Sequence, residues 1–583
     1  MTRIAVVEKD KCFHTKCADL CIKVCPVNRT GKECIVLDDE KKAKIDESLC
    51  TGCGICPKRC PFDAIHVINL PEALDKPPIH RHGGDGFSLF NLPTPIFGKV
   101  VGILGRNGIG KSTAIKVLSG ILKPNLGRDE EATHDELISY FKGTEAQIFF
   151  EKVKKGEIIA SYKPQQVDLI PKQVKGKVRK ILEKVDEKKE LEKIAKELEI
   201  EEILDNDISK ISGGELQRVA IAAASLKKAN FYVFDEPTSY LDVKQRVKVS
   251  KFIRKLADEK TAVMVVEHDL IILDYMTELI HIMYGEEGAY GIVSLPKTTR
   301  VGINIYLSGY MKEENIRFRD REIKFETRPP SKGKETPVIT GWNKIEKKLG
   351  KFNLASGEGS LRRHDVTGIL GPNGIGKTTF VKILAGETKP DSGEIMQNVK
   401  VSYKPQYLES NSSDMVATVL KDAISKYDVQ LIRPLQIKPL MLKKLNELSG
   451  GELQRVAIAE CLSRPAELYL LDEPSAYLDV EQRLKVSRII RDFMEQKGTS
   501  ALIVDHDLLF IDYISSNLIV FDGIPARKGS VTGPFPMMEG MNNFLGDLNL
   551  TFRRDPESRR PRANKPGSQM DRKQKSEGKL YYI

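Results

Sequence analysis

Short apolar runs, each closed by glycine, proline or a carboxylate, recur along the chain and set its fold class. Val100 to Leu104 and Val366 to Leu370 run into glycine-rich turns that precede helical patterns. Asn230 to Phe234 and Glu467 to Leu471 end in an aspartate, and Ala262 to Val266 and Ser500 to Val504 are unbroken apolar stretches. Strands apolar on both faces belong to sheets covered on both sides, and their alternation with helices predicts an α/β core with a mostly parallel sheet. The pattern changes between Arg128 and Glu157, where Leu137, Tyr140, Phe141, Ile148, Phe149 and Val153 are spaced as on short amphipathic helices. No apolar run approaches the length of about 18 residues that a membrane span requires, and Met1 to Lys11 is already charged. A cytoplasmic protein with no membrane partner is the expectation.

An internal repeat organises the chain. Gly105-Arg-Asn107-Gly108-Ile-Gly110-Lys111-Ser112-Thr113 returns as Gly371-Pro-Asn373-Gly374-Ile-Gly376-Lys377-Thr378-Thr379. Tyr162-Lys-Pro-Gln165 returns as Tyr403-Lys-Pro-Gln406, Ser212-Gly-Gly214-Glu-Leu-Gln-Arg218 as the run from Ser449 through Gly451 to Arg455, and Asp235-Glu236-Pro as Asp472-Glu473-Pro. The stretch from lysine to glutamine is about 25 residues longer in the first copy, which places an insertion at about 128–157. Gly302 to Leu307 and Gly540 to Leu545 form a second repeated element after each copy and read as paired hinges. Arg328 to Pro337, rich in Pro, Lys and Thr, reads as a linker.

The glycine-rich turn with its Lys and Ser or Thr wraps a polyphosphate in backbone N–H groups, brings an ammonium to the β and γ phosphates and offers a hydroxyl to Mg²⁺. One such match can be a glycine turn; two, each between strand and helix, are phosphate sites. Asp235 and Asp472, at strand ends, suit Mg²⁺. Glu236 and Glu473 can polarise an attacking water. His268 and His506 each follow an apolar strand and recur in register.

Nine of the ten cysteines lie in the first 60 residues, and the tenth is Cys461. That crowding fits a reduced cytosol with a metal centre better than a disulfide framework. Cys50-x2-Cys53-x2-Cys56-x3-Cys60-Pro is the run of bacterial ferredoxins, and Cys12-x4-Cys17-x3-Cys21-x3-Cys25-Pro is a stretched version. The fourth cysteine of each run in two-cluster ferredoxins binds the other cluster. The expectation is one [4Fe–4S] on Cys50, Cys53, Cys56 and Cys25 and another on Cys12, Cys17, Cys21 and Cys60, with zinc as the alternative. Cys34 and Cys461 read as small buried residues. Net charge is +11, of which Arg553 to Lys579, with ten Lys and Arg against four Asp and Glu, carries +6. This tail is either a solvated charge run or an RNA contact.

The order of these motifs, with Tyr-Leu-Asp242 and Tyr-Leu-Asp479 after each Asp-Glu-Pro, resembles the nucleotide-binding domain of ABC ATPases twice over, from Lys99 to about Val293 and from Val366 to about Val531. The resemblance implies head-to-tail domains, so that Lys111, Ser112, Gln165, Asp235, Glu236 and His268 share an ATP with Ser449, Gly451 and Asp479. It implies likewise that Lys377, Thr378, Gln406, Asp472, Glu473 and His506 share one with Ser212, Gly214 and Asp242. Ser112, Gln165, Thr378 and Gln406 would be Mg²⁺ ligands. Adenine needs an aromatic face, for which Phe87 stands before the first phosphate loop and Trp342 and Phe352 before the second.

A ferredoxin-like module ahead of two fused ABC domains resembles ABC subfamily E, the RNase L inhibitor family. The implied fold is α/β: two ABC-type P-loop ATPase domains in tandem, preceded by a ferredoxin-like domain with two [4Fe–4S] clusters. The expected domains are 1–75 (clusters), 76–298 (first ABC domain, with the helix-loop-helix insertion), 299–335 (hinge and linker), 336–531 (second ABC domain) and 532–583 (second hinge and basic tail). The implied function is Mg²⁺-dependent ATP hydrolysis that splits ribosomes into subunits after termination, with the factor able to stay on the small subunit. Its partners would be ribosomal RNA and proteins and a release factor, and the chain would be a monomer whose two ABC domains pair internally. The alternative is a cluster-dependent ATPase in electron transfer or iron–sulfur chemistry. A chromosome or repair ATPase is disfavoured because no long heptad arm separates phosphate loop and signature.

Overall fold

The computed structural model describes residues 3–7, 12–38, 41–46, 49–69, 77–83, 86–314, 316–319, 322–323, 325, 337–396, 399–406 and 412–581. Nearly all of the linker run from Arg328 to Pro337, and the expected boundaries at 75/76 and 335/336, lie outside the described residues. The chain divides into two compact units. The first comprises Met1–Tyr240, Lys248–His268 and Met276–Ile323, and the second Leu241–Val247, Asp269–Tyr275 and Lys324–Ile583.

At the start of the first unit, strands Arg3–Val7 and Ile65–Asn69 pair antiparallel, and Ile35–Leu37 pairs with Ala43–Ile45. Short helices His14–Cys17, Leu20–Val24 and Ile55–Arg59 carry Cys17, Cys21 and Cys56. Helix Pro26–Arg29 starts on proline, which needs no N–H partner at a helix start, and so closes the turn after Cys25.

A nine-stranded sheet follows. Strand Val100–Gly105 lies parallel between Ala262–Val266 and Leu279–Glu286, and Ala262–Val266 is flanked in turn by Phe231–Asp235 and then Ala160–Lys163. All five residues of Phe231–Asp235 and of Ala262–Val266 are buried, as their unbroken apolar runs require. Helices His134–Tyr140 and Glu145–Lys154 occupy the insertion, the first started by a capping box of Thr133 and Glu136. Phe149 meets Phe231 edge-on at 5.5 Å and Phe150 stacks on Phe141 at 5.4 Å, which fastens the helical pair to the sheet. Ile148, expected on the apolar face, is instead 55% exposed, and the buried position is taken by Phe150.

The second unit repeats this plan in a ten-stranded sheet, with Val366–Leu370 parallel between Ser500–Val504 and Asn517–Ile524, then Leu468–Asp472 and Val401–Lys404. The paired hinge elements are helices, Thr299–Ser308 and Met537–Leu548. Each packs a glycine against its sheet. A Cβ on Gly302 would stand 2.5 Å from Ile280, and one on Gly540 would stand 2.7 Å from Leu518, so only glycine permits the approach. The basic tail is not a loose charge run. It forms the hairpin Phe552–Arg554 with Pro561–Ala563 and the helix Gln569–Glu577, and Arg560 is fully buried against Asp274. Among the described residues no helix is long and apolar enough to cross a membrane.

Candidate functional site

Each phosphate loop joins the carboxyl end of a central parallel strand to a helix, Lys111–Leu118 in the first unit and Lys377–Leu384 in the second. At Gly108, Gly110, Gly374 and Gly376 the backbone is left-handed, with φ of +72°, +84°, +69° and +92°. Glycine adopts this at little cost and lets successive N–H groups face one concavity. Lys111 Nζ donates to the carbonyls of Gly105 (3.0 Å) and Arg106 (2.5 Å) and reaches Asn107 Oδ1 at 3.5 Å. Lys377 Nζ donates to Gly371 (2.7 Å) and Pro372 (2.8 Å), and burial lowers it to about 8. Both ammoniums therefore sit within their loops. Thr113 lies 3.5 Å from His82, and Thr379, half-buried, follows Thr378 on the helix.

The cation ligands expected from sequence come together. Thr378 Oγ1 donates to Asp472 Oδ2 at 2.8 Å, and Ser112 bonds Asp235. Burial pushes both aspartates up, and a hard divalent cation would favour the charged form. Gln165 Nε2 donates to Glu236 Oε1 (2.6 Å) and Gln406 Nε2 to Glu473 Oε1 (2.8 Å), which leaves each amide oxygen for a cation. Hydroxyl, carboxylate and amide oxygens are the donor set Mg²⁺ takes, so the residues fit the ion.

Glu236 and Glu473 stand in the left-handed region at φ +46° and +47°, a conformation a glutamate holds only when its surroundings impose it. His268 Nε2 lies 3.5 Å from Glu236 and His506 Nε2 3.7 Å from Glu473. The two glutamates differ. Burial pushes Glu236 up, but the His268 hydrogen bond and charge outweigh it and, with Lys111 and Ser239 Oγ at 3.2 Å, hold it down at about 2. Glu473 is pushed up by burial and by Asp472. Its histidine is held well below the ordinary value by burial and by Lys377, which is 3.3 Å away, and position 476 is alanine.

Ser212 and Ser449 each cap a signature helix, Gly213–Leu226 and Gly450–Ser463, in a capping box with Glu215 and Glu452. Gly214 and Gly451 lie in the first turns, where N–H groups and the positive helix end face outward. Asp242 accepts from the N–H groups of Gln245 (2.9 Å) and Asn373 (3.0 Å), both inside the second unit, and Asp479 accepts from Gln482. Among the aromatics, Phe87 packs beside Gly110 and Phe352 beside Gly376. Trp342 is a correction. It is 1% exposed and meets Phe380 edge-on at 5.2 Å, a core ring with no open face for a base.

The cysteines gather as two sets. Cys12 and Cys21 lie close enough to Cys17 and Cys60, and to each other, for their charges to interact, and Cys56 does the same with Cys50, Cys53 and Cys25. Backbone N–H groups of Ala43, Ala64 and Ala5 point at the sulfurs of Cys12 (3.4 Å), Cys60 (3.4 Å) and Cys50 (3.3 Å), as thiolates on a cluster accept. Burial pushes Cys21 up to about 11 and Cys56 up to about 12, so iron loading releases protons. Among the described residues no three His, Cys, Asp or Glu side chains form a site for a single metal ion. Cys34 is buried in the core of this module, as expected of a small buried residue, with its thiol 3.9 Å from the Asp46 carbonyl.

Five further side chains bear on the site: Ser239, Lys163, Lys404, Gln217 and Gln454. Recurrence in both copies is the sequence signal for the two lysines and the two glutamines, whereas Ser239, matched by Ala476, has none.

Comparison with known proteins agrees with this architecture. The ABC transporter family matches residues 96–239 and 357–476, a 4Fe-4S binding domain matches 43–66, and a possible Fer4-like domain in RNase L inhibitor matches 2–33. ABC transporter E family member 1 of Arabidopsis thaliana is 45% identical over 100% of this chain and 99% of its own, and translation initiation factor RLI1 of Saccharomyces cerevisiae is 44% identical over 100% and 98%. A structure described as ribosome-bound archaeal Pelota and ABCE1 aligns over 100% of this chain and 99% of its own, at 52% identity and a TM-score of 0.94. These matches bear out two ABC ATPase domains, [4Fe–4S] clusters and ATP with Mg²⁺ as cofactors.

Proposed function

The chain belongs to ABC subfamily E, the RNase L inhibitor family, and on that premise we propose that it is an ATP-driven ribosome recycling factor. The observation that carries this reading is the end-to-end likeness to the archaeal protein described as ribosome-bound with Pelota. The chain acts in the cytoplasm as a monomer, on ribosomes from which a termination factor has released the product, and separates their subunits. Ribosomal RNA and proteins of the small subunit are its contacts. The electron-transfer alternative is not favoured, because full-length relatives carry names from translation.

In the proposed division of labour the phosphate-loop N–H groups with Lys111 and Lys377 hold the β and γ phosphates. Ser112, Asp235 and Gln165, and Thr378, Asp472 and Gln406, hold Mg²⁺, which neutralises charge on the transferred phosphoryl group. Glu236 and Glu473 orient and polarise water, and His268 and His506 fix those carboxylates. Phe87 and Phe352 support adenine. The signature residues Ser212, Gly214 and Asp242, and Ser449, Gly451 and Asp479, bring helix N–H groups to a γ phosphate.

The test is splitting itself, followed by sedimentation of purified ribosomes with the protein, ATP and a release factor. Lys111→Ala or Lys377→Ala is expected to reduce subunit release by roughly tenfold or more through loss of phosphate binding, while the visible absorbance of the clusters persists. Wild-type release by either variant would refute the reading.

A further inference from the structure

Each copy buries a lysine for which phosphate chemistry has no use. Lys163 and Lys404, the second residues of the repeated Tyr-Lys-Pro-Gln, are 0% and 1% exposed. An ammonium out of water is costly unless its donors are satisfied, and here the acceptors are backbone carbonyls. Lys163 Nζ donates to the carbonyls of Asp235 (2.9 Å) and Glu236 (3.3 Å). Lys404 Nζ donates to those of Asp472 (2.7 Å) and Pro405 (3.0 Å). The signature helix closes the same frame from its own side: Gln217 Nε2 donates to the Glu236 carbonyl at 2.6 Å and Gln454 Nε2 to the Glu473 carbonyl at 2.7 Å.

The peptide units held in this way belong to the two glutamates at positive φ. A β-carbon in that region crowds its own backbone, so the turn relaxes unless its carbonyls are pinned. Relaxation would rotate the carboxylate away from the Gln165 or Gln406 amide that it accepts from. We infer that Lys163 and Lys404 are positioning residues that lock the strained Asp-Glu-Pro turn and thereby aim the Glu236 and Glu473 carboxylates at water. A lysine at this place also sets a positive group beside the adjacent aspartate and glutamate, against their mutual repulsion. Methionine would fill the space without donating, whereas glutamine keeps a donor and drops the charge.

The inference rests on the reading of Glu236 and Glu473 as the water-polarising groups, and the experiment separates the two. The full chain, with clusters loaded, is compared as wild type, Lys163→Met with Lys404→Met, Lys163→Gln with Lys404→Gln, and Glu236→Gln with Glu473→Gln. Steady-state hydrolysis, affinity for a fluorescent ATP analogue, thermal midpoint and amide exchange over 236–240 and 473–477 are measured. The methionine pair is expected to lose roughly tenfold or more in kcat, as a small misplacement of a reacting group costs, with KM and analogue affinity unchanged. Exchange should quicken in the two turns, and the glutamine pair should recover part of kcat. Wild-type kcat in a folded methionine pair, or a loss matched by equal losses in analogue affinity and midpoint, would overturn the inference. Should the methionine pair not fold, the glutamine pair decides: kcat below wild type with analogue affinity and midpoint kept supports it, and wild-type kcat overturns it. Wild-type turnover by the Glu→Gln pair would instead remove the underlying reading, whatever the lysine variants do.

Discussion

Ser239 and Ala476 occupy the same position in the two repeats and differ by one hydroxyl. In the first copy that hydroxyl donates to the second oxygen of a glutamate whose first oxygen already accepts from Gln165, so both oxygens are fixed. In the second copy Gln406 fixes one oxygen and no side chain at 476 can donate. A hydrogen bond to a charged group contributes about 1.5 kcal/mol at the low end, worth roughly tenfold in rate if it is kept through the transition state. Ser239→Ala in a Glu473→Gln background should therefore slow the remaining turnover by up to about tenfold at unchanged KM, and Ala476→Ser in a Glu236→Gln background should raise it. Single-turnover hydrolysis checks both, and equal rates before and after each exchange would show that the hydroxyl is idle. The residues proposed to handle phosphate, cation and water are legible in the sequence because such chemistry demands fixed local spacing. Trp342 was misread because an aromatic ring at the right distance along the chain can turn inward, and only packing against Phe380 decides which way it faces. The role of Lys163 is not legible along the chain, because nothing in a sequence says which carbonyl a buried ammonium meets.

At the scale of elements, the parallel strands and the phosphate helices follow from their apolar runs and glycines, while the C-terminal tail was hidden by its own charge. Read along the chain, Arg553 to Lys579 is a basic run; folded, three of its arginines turn inward. Arg554 forks onto Asp512 at 2.8 and 3.0 Å, whereas Arg560 and Arg562 share Asp274, 2.9 Å from Arg560 Nη2 and 2.6 Å from Arg562 Nε. Asp274 and Asp512 are the same position of the repeat, six residues beyond His268 and His506. The hairpin thus fastens the segments that follow both histidines, through partners as far as 288 residues apart that no local pattern links. Removing one member of a buried pair exposes the other to an uncompensated charge at a cost of about 3 kcal/mol or more. Arg560→Ala should lower exchange protection in 270–275 and 552–563 by about 1.5 to 3 kcal/mol, since Asp274 loses a charge-assisted hydrogen bond but keeps Arg562. Arg559→Ala, at the exposed neighbour, should stay within about 0.5 kcal/mol. Equal effects of the two changes in hydrogen–deuterium exchange would mean that the inward arginine contributes no more than a surface charge.

At the scale of the molecule, the two chemistries are held by separate stretches of chain. Every expected cluster ligand lies between Cys12 and Cys60, and each phosphate loop finds its own Asp, Glu, Gln and His within its own repeat. Among the described residues, the eight buried in the core of the cluster module are four cysteines, two alanines and two isoleucines. Half of that core is cysteine, so metal binding is expected to contribute to the folding of a segment this short. Cys53, the exposed ligand, can be changed without opening a cavity in that core. Cys53→Ser is expected to lose about half of the iron and acid-labile sulfide, since one cluster of two goes. Proteolysis and amide exchange should then rise across 12–69, with ATP affinity and basal hydrolysis kept close to wild type. Under the proposed recycling function, ribosome splitting is expected to fall along with the lost cluster. A variant that retained full iron would remove Cys53 from the ligand set, and one that lost basal hydrolysis in step with its iron would show that the clusters serve the ATP sites directly.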